Sequence, residues 1–256
     1  MFKDEFQAVC NAGAAKSNFL KKNPLGYFIS SMVAGMFISF GSFIAFTLGQ
    51  AVSAGGATSF TKLAQAFAFA AALSLVVMAG AELFTGNNFV MAAASLRKTV
   101  SWGDTVKLWV VCWIGNLIGS LLSVAAFQLA GVPTAADGAV AHYFIQIASG
   151  KASLAPMDFF FRAVLCNILV CLAVWCSIKL KSESGKLIMV FWCILVFMIC
   201  GFEHSIADMS IVFVGVVNGG VTIGQYLYTI LMATVGNVIG GAIFVAVPYH
   251  IISKEK

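Results

Sequence analysis

Apolar residues run along this chain in six long stretches separated by short polar segments. A helix needs about 20 mostly apolar residues to cross a bilayer. The stretches predict spanning helices at 25–50, 63–97, 105–131, 157–180, 186–217 and 222–252. The second and fifth are longer than a crossing requires, and each is interrupted by polar residues. The second reads Gly80-Ala81-Glu82-Leu83-Phe84-Thr85-Gly86-Asn87-Asn88 in its middle, and the fifth reads Gly201-Phe202-Glu203-His204-Ser205-Ile206-Ala207-Asp208. Helix breaks free backbone N–H and C=O groups, which a membrane tolerates only inside protein or along a cavity.

The pattern also repeats. Gly80-x-Glu82 recurs as Gly201-x-Glu203, and Gly115-Asn116-Leu117-Ile118-Gly119 recurs as Gly236-Asn237-Val238-Ile239-Gly240, each 121 positions later. Each copy holds three spans, an odd number, so the second copy is expected upside down relative to the first. Inverted copies with interrupted helices at matching places point to a permeation site near the bilayer midplane. The Gly-x-x-x-Gly pairs allow close helix approach, within the bundle or against another subunit.

Composition agrees. Of 256 residues, 61% are hydrophobic and 10% charged, against roughly 25% charged in a soluble domain. The charges give an orientation. Lys3, Lys16, Lys21, Lys22, Arg97, Lys98, Lys107, Lys179, Lys181, Lys186, Lys254 and Lys256 fall on one side of the predicted spans, and Lys62, Lys151 and Arg162 on the other. The positive-inside rule then places both termini in the cytoplasm. The first 22 residues are too charged for the apolar core of a signal peptide. Phe2, Phe6, Val9, Cys10 and Gly13 fall near helical spacing, which leaves segment 1–22 as an amphipathic surface helix or a solvated tail. The seven cysteines form no C-x-x-C pair and read as inert, apolar-facing thiols rather than a metal or redox site.

Glu82, Glu203, His204 and Asp208 are ionisable groups at or near membrane depth, where an uncompensated charge costs about 3 kcal/mol. Glu82 and Glu203 read as structural, each carboxylate accepting backbone N–H groups at its own break, with a proton relay as the alternative. His204 has Leu83 as its counterpart and stands in the break beside Glu203. It reads as functional, able to donate a hydrogen bond to an anion or pass it a proton. Thr85 lies in the first break, where its hydroxyl could reach the second or simply bond its own backbone. Lys151 precedes the fourth span and reads either as a charge that concentrates anions or as a solvated surface lysine.

At these residues the chain resembles the formate/nitrite transporter family of bacterial anion channels. The resemblance is carried by Asn23-Pro24-Leu25-Gly26, Gly80-x-Glu82-Leu83-Phe84-Thr85-Gly86-Asn87, Gly115-Asn116-Leu117-x-Gly119, Asn167-x-x-Val170-Cys171-Leu172-Ala173-x-Trp175 and Gly201-Phe202-Glu203-His204-Ser205-Ile206-Ala207-Asp208-Met209. One departure is Asp208, where the family pattern has Asn.

The resemblance implies an all-α membrane protein with six transmembrane helices, arranged as aquaporin-like inverted three-helix repeats with helices 2 and 5 broken. It implies a cytoplasmic N-terminal segment at 1–22 that could gate the pore and a single transmembrane channel domain at 23–252. It also implies a homopentamer in the bacterial inner membrane with one pore per subunit. Phe69, Leu73, Leu83, Phe197 and Val170 would form the apolar constriction, with Thr85, His204, Lys151 and Asn167 as polar pore residues. Glu203 would orient the histidine region. The expected permeants are small monovalent anions, hydrosulfide foremost, then formate and nitrite. A nitrite or formate channel is the alternative main role. No cofactor, metal or nucleic-acid partner is expected. The anion would cross after partial or complete proton transfer from His204, with crossing still charged as the alternative. A water or glycerol pore is the rival of another class, but no Asn-Pro-Ala follows either break. An intramembrane enzyme lacks support, since neither a Gly-x-Ser-Gly nor a His-Glu-x-x-His motif is present.

Overall fold

The computed structural model describes residues 1–254, and of Ala136 only the backbone; Lys256, counted above for orientation, lies outside the described residues. The chain is helical almost throughout. Helix α1 (Lys3–Lys22) is amphipathic and leads into α2 (Pro24–Ala54), where the Asn23 side chain caps the start by accepting from Gly26 N and Pro24 occupies the first turn. Next come α3 (Thr61–Leu75), extended by a π turn over Val76–Gly80, then α4 (Phe84–Leu96) and α5 (Trp102–Leu129). The second half runs α6 (Ala135–Ala152), α7 (Pro156–Lys179), α8 (Glu183–Cys200), α9 (Ser205–Val217), α10 (Ile223–Gly241), a π turn at Ala242–Ala246, and α11 (Val247–Ile252). Among the described residues, six helical stretches are long and apolar enough to cross a membrane.

Both expected breaks are present. The second span stops at Gly80 and restarts at Phe84, and the fifth stops at Cys200 and restarts at Ser205. Gly80 (φ 82°) and Gly201 (φ 68°) turn the chain there in the left-handed region open to glycine. One element was not expected. Segment 135–152, which falls between the predicted third and fourth spans, is helix α6, and it packs against α9 as α1 packs against α4. Each half therefore holds a flanking helix in addition to its three spans.

The two breaks are held by the same hydrogen bonds. Asn116 Oδ1 accepts from Phe84 N at 2.9 Å, and Asn237 Oδ1 accepts from Ser205 N at 2.9 Å. Asn116 Nδ2 donates to Ser31 O at 2.7 Å and Glu82 O at 2.9 Å; Asn237 Nδ2 donates to Ala163 O at 2.7 Å and Glu203 O at 3.0 Å. Glu82 N reaches Ser30 O and Glu203 N reaches Arg162 O, both at 3.3 Å. Each asparagine thus satisfies backbone groups that the break releases, which makes an interrupted helix affordable at membrane depth.

The glycines beside these asparagines bring the spans together inside the bundle. A Cβ on Gly119 would lie 1.9 Å from Met32 O, and one on Gly240 would lie 2.4 Å from Val164 O. Only hydrogen fits there, so α5 packs on α2 and α10 on α7 at backbone contact. The outer faces carry exposed large apolar residues, among them Phe40, Val110, Leu122, Leu165, Trp192 and Leu231. Such a surface suits lipid or another copy of the chain rather than water.

Candidate functional site

The restarted helices α4 and α9 begin facing each other, and their first residues meet. Thr85 Oγ1 lies 3.0 Å from His204 Nε2, with both side chains buried. His204 is also the N-cap of α9, its Nδ1 accepting from Ala207 N at 3.1 Å. A ring nitrogen that accepts carries no proton, so the neutral imidazole holds its hydrogen on Nε2 and donates it to Thr85 Oγ1. The Thr85 hydroxyl then keeps its own hydrogen for another acceptor. Leu83, the counterpart of His204, provides no side-chain cap for α4.

Apolar groups surround this contact. The Phe197 ring lies nearly parallel to the His204 imidazole, with centroids 6.1 Å apart and planes at 14°, and Phe69 meets Phe197 edge-on at 5.8 Å. Leu73, Leu83 and Val170 are buried in the same cluster. A cavity of about 550 Å³ on one side has Leu73, Leu83, Gly86 and Lys16 in its wall. A second, of about 380 Å³, has Phe197, His204, Lys151, Lys62 and Arg162 in its wall. Leu83 thus borders one cavity and His204 the other.

Asn167, from α7, lines neither cavity. Its Nδ2 donates to Asn237 O at 2.6 Å, Asn88 Oδ1 at 3.0 Å and Thr85 O at 3.2 Å. It ties the start of α4 to α10 and thereby fixes where Thr85 stands. Cys171 adds a thiol donor to the same Thr85 carbonyl at 3.4 Å.

One open alternative about charge is removed and one expectation is corrected. Lys151 is not a solvated surface lysine. It lies on α6, is 15% exposed at the side chain, hydrogen-bonds Glu203 Oε2 and sits 2.9 Å from Asp208 Oδ1. Nor do the carboxylates of Glu82 and Glu203 bind backbone N–H groups of their own breaks. Lys16 Nζ donates to both oxygens of Glu82 at 2.7 Å, joined by Asn87 Nδ2 at 3.0 Å and Tyr27 OH at 3.1 Å. The reason is the low dielectric of the site: a carboxylate held there needs an opposite charge, which short loop N–H groups do not supply. The two flanking helices supply it, α1 through Lys16 and α6 through Lys151.

Sequence reasoning missed Lys16, Tyr27 and Asn87 at the first break, and the clamping role of Asn116 and Asn237. The repeat carried a signal for the asparagines, since both follow a glycine at the common offset of 121. The Lys16–Glu82 pair spans 66 positions with no local pattern to announce it.

A family model described as formate/nitrite transporter matches residues 3–251. The chain is 32% identical to the nitrite transporter NirC of Escherichia coli (strain K12), covering 97% of this chain and 91% of that protein. It is 38% identical to a probable formate transporter of Methanothermobacter thermautotrophicus, covering 93% of each. Among solved structures it matches an FNT family ion channel with a TM-score of 0.91 at 29% identity, over 99% of this chain and 100% of that one. It also matches a pentameric formate channel with formate bound, with a TM-score of 0.76 at 26% identity, over 91% and 98%.

Proposed function

Since the chain belongs to the formate/nitrite transporter family, a family of membrane transport proteins and not of enzymes, we propose that it is a channel for small monovalent anions of weak acids. Hydrosulfide is the favoured permeant, with formate and nitrite also carried. The observation that carries the reading is the Thr85–His204 contact at 3.0 Å, set among apolar side chains with a cavity on either side.

An anion entering a greasy constriction loses water and needs a replacement partner. The Thr85 hydroxyl, oriented by Nε2–H of His204, provides a hydrogen-bond donor where Leu83 and Phe197 exclude water. The N-terminus of α4, which Leu83 itself does not cap, adds a favourable helix dipole. His204 acts here as a neutral donor. To hand over a proton as imidazolium it must also be protonated at Nδ1, which breaks its hydrogen bond to Ala207 N. Proton transfer to the anion is therefore coupled to loosening of the α9 cap. The apolar ring is Phe69, Leu73, Leu83, Phe197 and Val170, and Asn167 positions Thr85.

The channel works as a homopentamer in a bacterial cytoplasmic membrane, with one pore per subunit, inverted halves, both termini inside and α1 on the inner face. The pentameric formate channel it matches supports the assembly, and the lysine distribution supports the orientation. The test is uptake into proteoliposomes of hydrosulfide, formate, nitrite and chloride across pH. The reading requires the three weak-acid anions to enter faster than chloride, hydrosulfide fastest. Equal rates for all four, or rates matching protein-free vesicles, would overturn it.

A further inference from the structure

The two halves differ at one charged position. Asn87 and Asp208 stand 121 places apart, the same offset that relates Glu82 to Glu203. Each follows its glutamate by five residues, and each glutamate is paired with a lysine from a flanking helix. At the first break the trio is Lys16, Glu82 and Asn87, and the Asn87 amide donates to Glu82 Oε2 at 3.0 Å. At the second it is Lys151, Glu203 and Asp208, with both carboxylates drawn to the one Lys151 ammonium. An ionised aspartate has no hydrogen to give.

We propose that Asp208 holds an exchangeable proton, which serves Glu203 as the Asn87 amide serves Glu82, and whose loss to the adjoining vestibule suppresses anion entry. Three observations carry this. Asp208 is completely buried. Lys151 approaches its Oδ1 at 2.9 Å as an ion pair, yet neither Asp208 oxygen gains a well-directed hydrogen bond. And one ammonium cannot neutralise two carboxylates, so full ionisation leaves a net negative charge in a dry site, which is costly. A proton on Asp208 removes that charge and restores the donor missing from the trio.

The surroundings leave Lys151 as the neutralising partner. From the other elements Asp208 is faced by Cys166 of α7 and Tyr226 of α10, whose hydroxyl already donates to Met209 O at 3.3 Å. Glu203 and His204 precede it in the break. Lys62 and Arg162 line the same cavity as Lys151, Glu203, His204 and Asp208, so a proton leaving Asp208 has a route out. With the proton bound the trio is neutral and the vestibule is positive through Lys62 and Arg162. Without it the trio is negative and opposes an incoming anion.

The regulatory half rests on the channel reading above; the proton-binding half does not. The test compares the wild type with Asp208→Asn in two measurements. Formate influx into proteoliposomes is followed as external pH rises from about 6 to about 9, a range in which formate stays anionic because carboxylic acids titrate near 4. Wild-type influx should fall about tenfold, the scale of one unit charge acting over about 10 Å at an effective dielectric of about 20, and D208N should show no fall. Infrared spectroscopy of the purified protein should show a protonated-carboxyl C=O band at neutral pH that D208N lacks and that alkali removes. The reverse exchange, Asn87→Asp, should add a second such band. A wild-type influx independent of external pH, a D208N profile parallel to the wild type, or identical carboxyl bands in the two proteins would overturn the proposal. Absence of influx with the band still present would defeat the channel reading and leave the proton site standing.

Discussion

Leu83 and His204 occupy matching places ahead of α4 and α9, and only His204 turns its side chain back to cap the helix it precedes, through Nδ1 to Ala207 N at 3.1 Å. That single difference fixes the imidazole tautomer and aims Nε2 at Thr85 Oγ1. His204→Asn keeps a good cap, since Asn is among the favoured N-cap residues, but removes the ring. The expected result is a protein of near-normal stability with formate influx reduced about tenfold, the scale of one lost hydrogen bond in a dry site. His204→Phe removes the cap as well and should lower thermal stability by about 1 kcal/mol. Unchanged rate and pH dependence in the Asn variant would take the histidine out of the mechanism.

Thr85 offers a cleaner dissection, because Thr85→Val preserves shape and removes only the hydroxyl. Influx should drop by about tenfold or more, while Thr85→Ser should restore most of it. Equal influx in Val and Ser variants would show that the hydroxyl does not meet the anion.

The paired lysines make a stability prediction. Lys16→Ala leaves Glu82 beside Asn87 and Tyr27 with no neutralising charge, in a pair whose side chains are 24% and 12% exposed. Thermal unfolding in detergent should show a loss of about 2 kcal/mol, below the 3–5 of a fully buried pair because water reaches this one. The double change Lys16→Met with Glu82→Gln should recover much of the loss. Equal stability of wild type and K16A would mean that the pair does not hold the first break.

Gly119→Ala puts a methyl group 1.9 Å from Met32 O. The helices must part, at a cost of about 1–3 kcal/mol, and Asn116, one turn earlier, loses its registry with Ser31 O and Glu82 O. Reduced thermal stability together with slower influx is expected; a change in neither would contradict the account of the α2–α5 contact.

Cys10 reports on the docking of α1. Its thiol is buried under α4 and donates to Ala93 O at 3.5 Å. Burial pushes its pKa up to about 11, against a smaller opposing effect of the nearby Arg97 charge. Reactive thiolate is therefore scarce at neutral pH and rises only as pH approaches 11. A variant retaining Cys10 as its single cysteine should react slowly with a water-soluble maleimide at pH about 7.5 and quickly once denatured. Fast labelling of the native protein would show that α1 is not seated on α4.

How much of this the sequence disclosed follows from what kind of contact each feature depends on. The six spans and both breaks were legible, because apolar runs and their polar interruptions at Gly80-x-Glu82 and Gly201-x-Glu203 are local signals. Helix α6 was not. Its segment includes Asp137, Gly138, His142 and Gly150, too polar for a span, and its helical state follows from packing against α9. The Thr85–His204 contact could be suspected, since the breaks share one offset, but its distance and the imidazole tautomer required the fold. The lysine pairings were hidden, because Lys16 and Lys151 reach carboxylates 66 and 52 positions away from helices outside the spans. The Asn87/Asp208 difference was visible as a departure from the family pattern. Its meaning emerged only when both trios could be compared.

The central claim is that an anion, and not a neutral polyol, passes the Thr85–His204 pair and takes its hydrogen bond from the Thr85 hydroxyl. Stopped-flow light scattering on one batch of proteoliposomes, challenged in turn with formate and glycerol gradients, tests it most directly. The account predicts formate entry well above that of protein-free vesicles, abolished or strongly slowed in Thr85→Val, with glycerol entry at the protein-free rate. Rapid glycerol entry with formate no faster than in empty vesicles would contradict it.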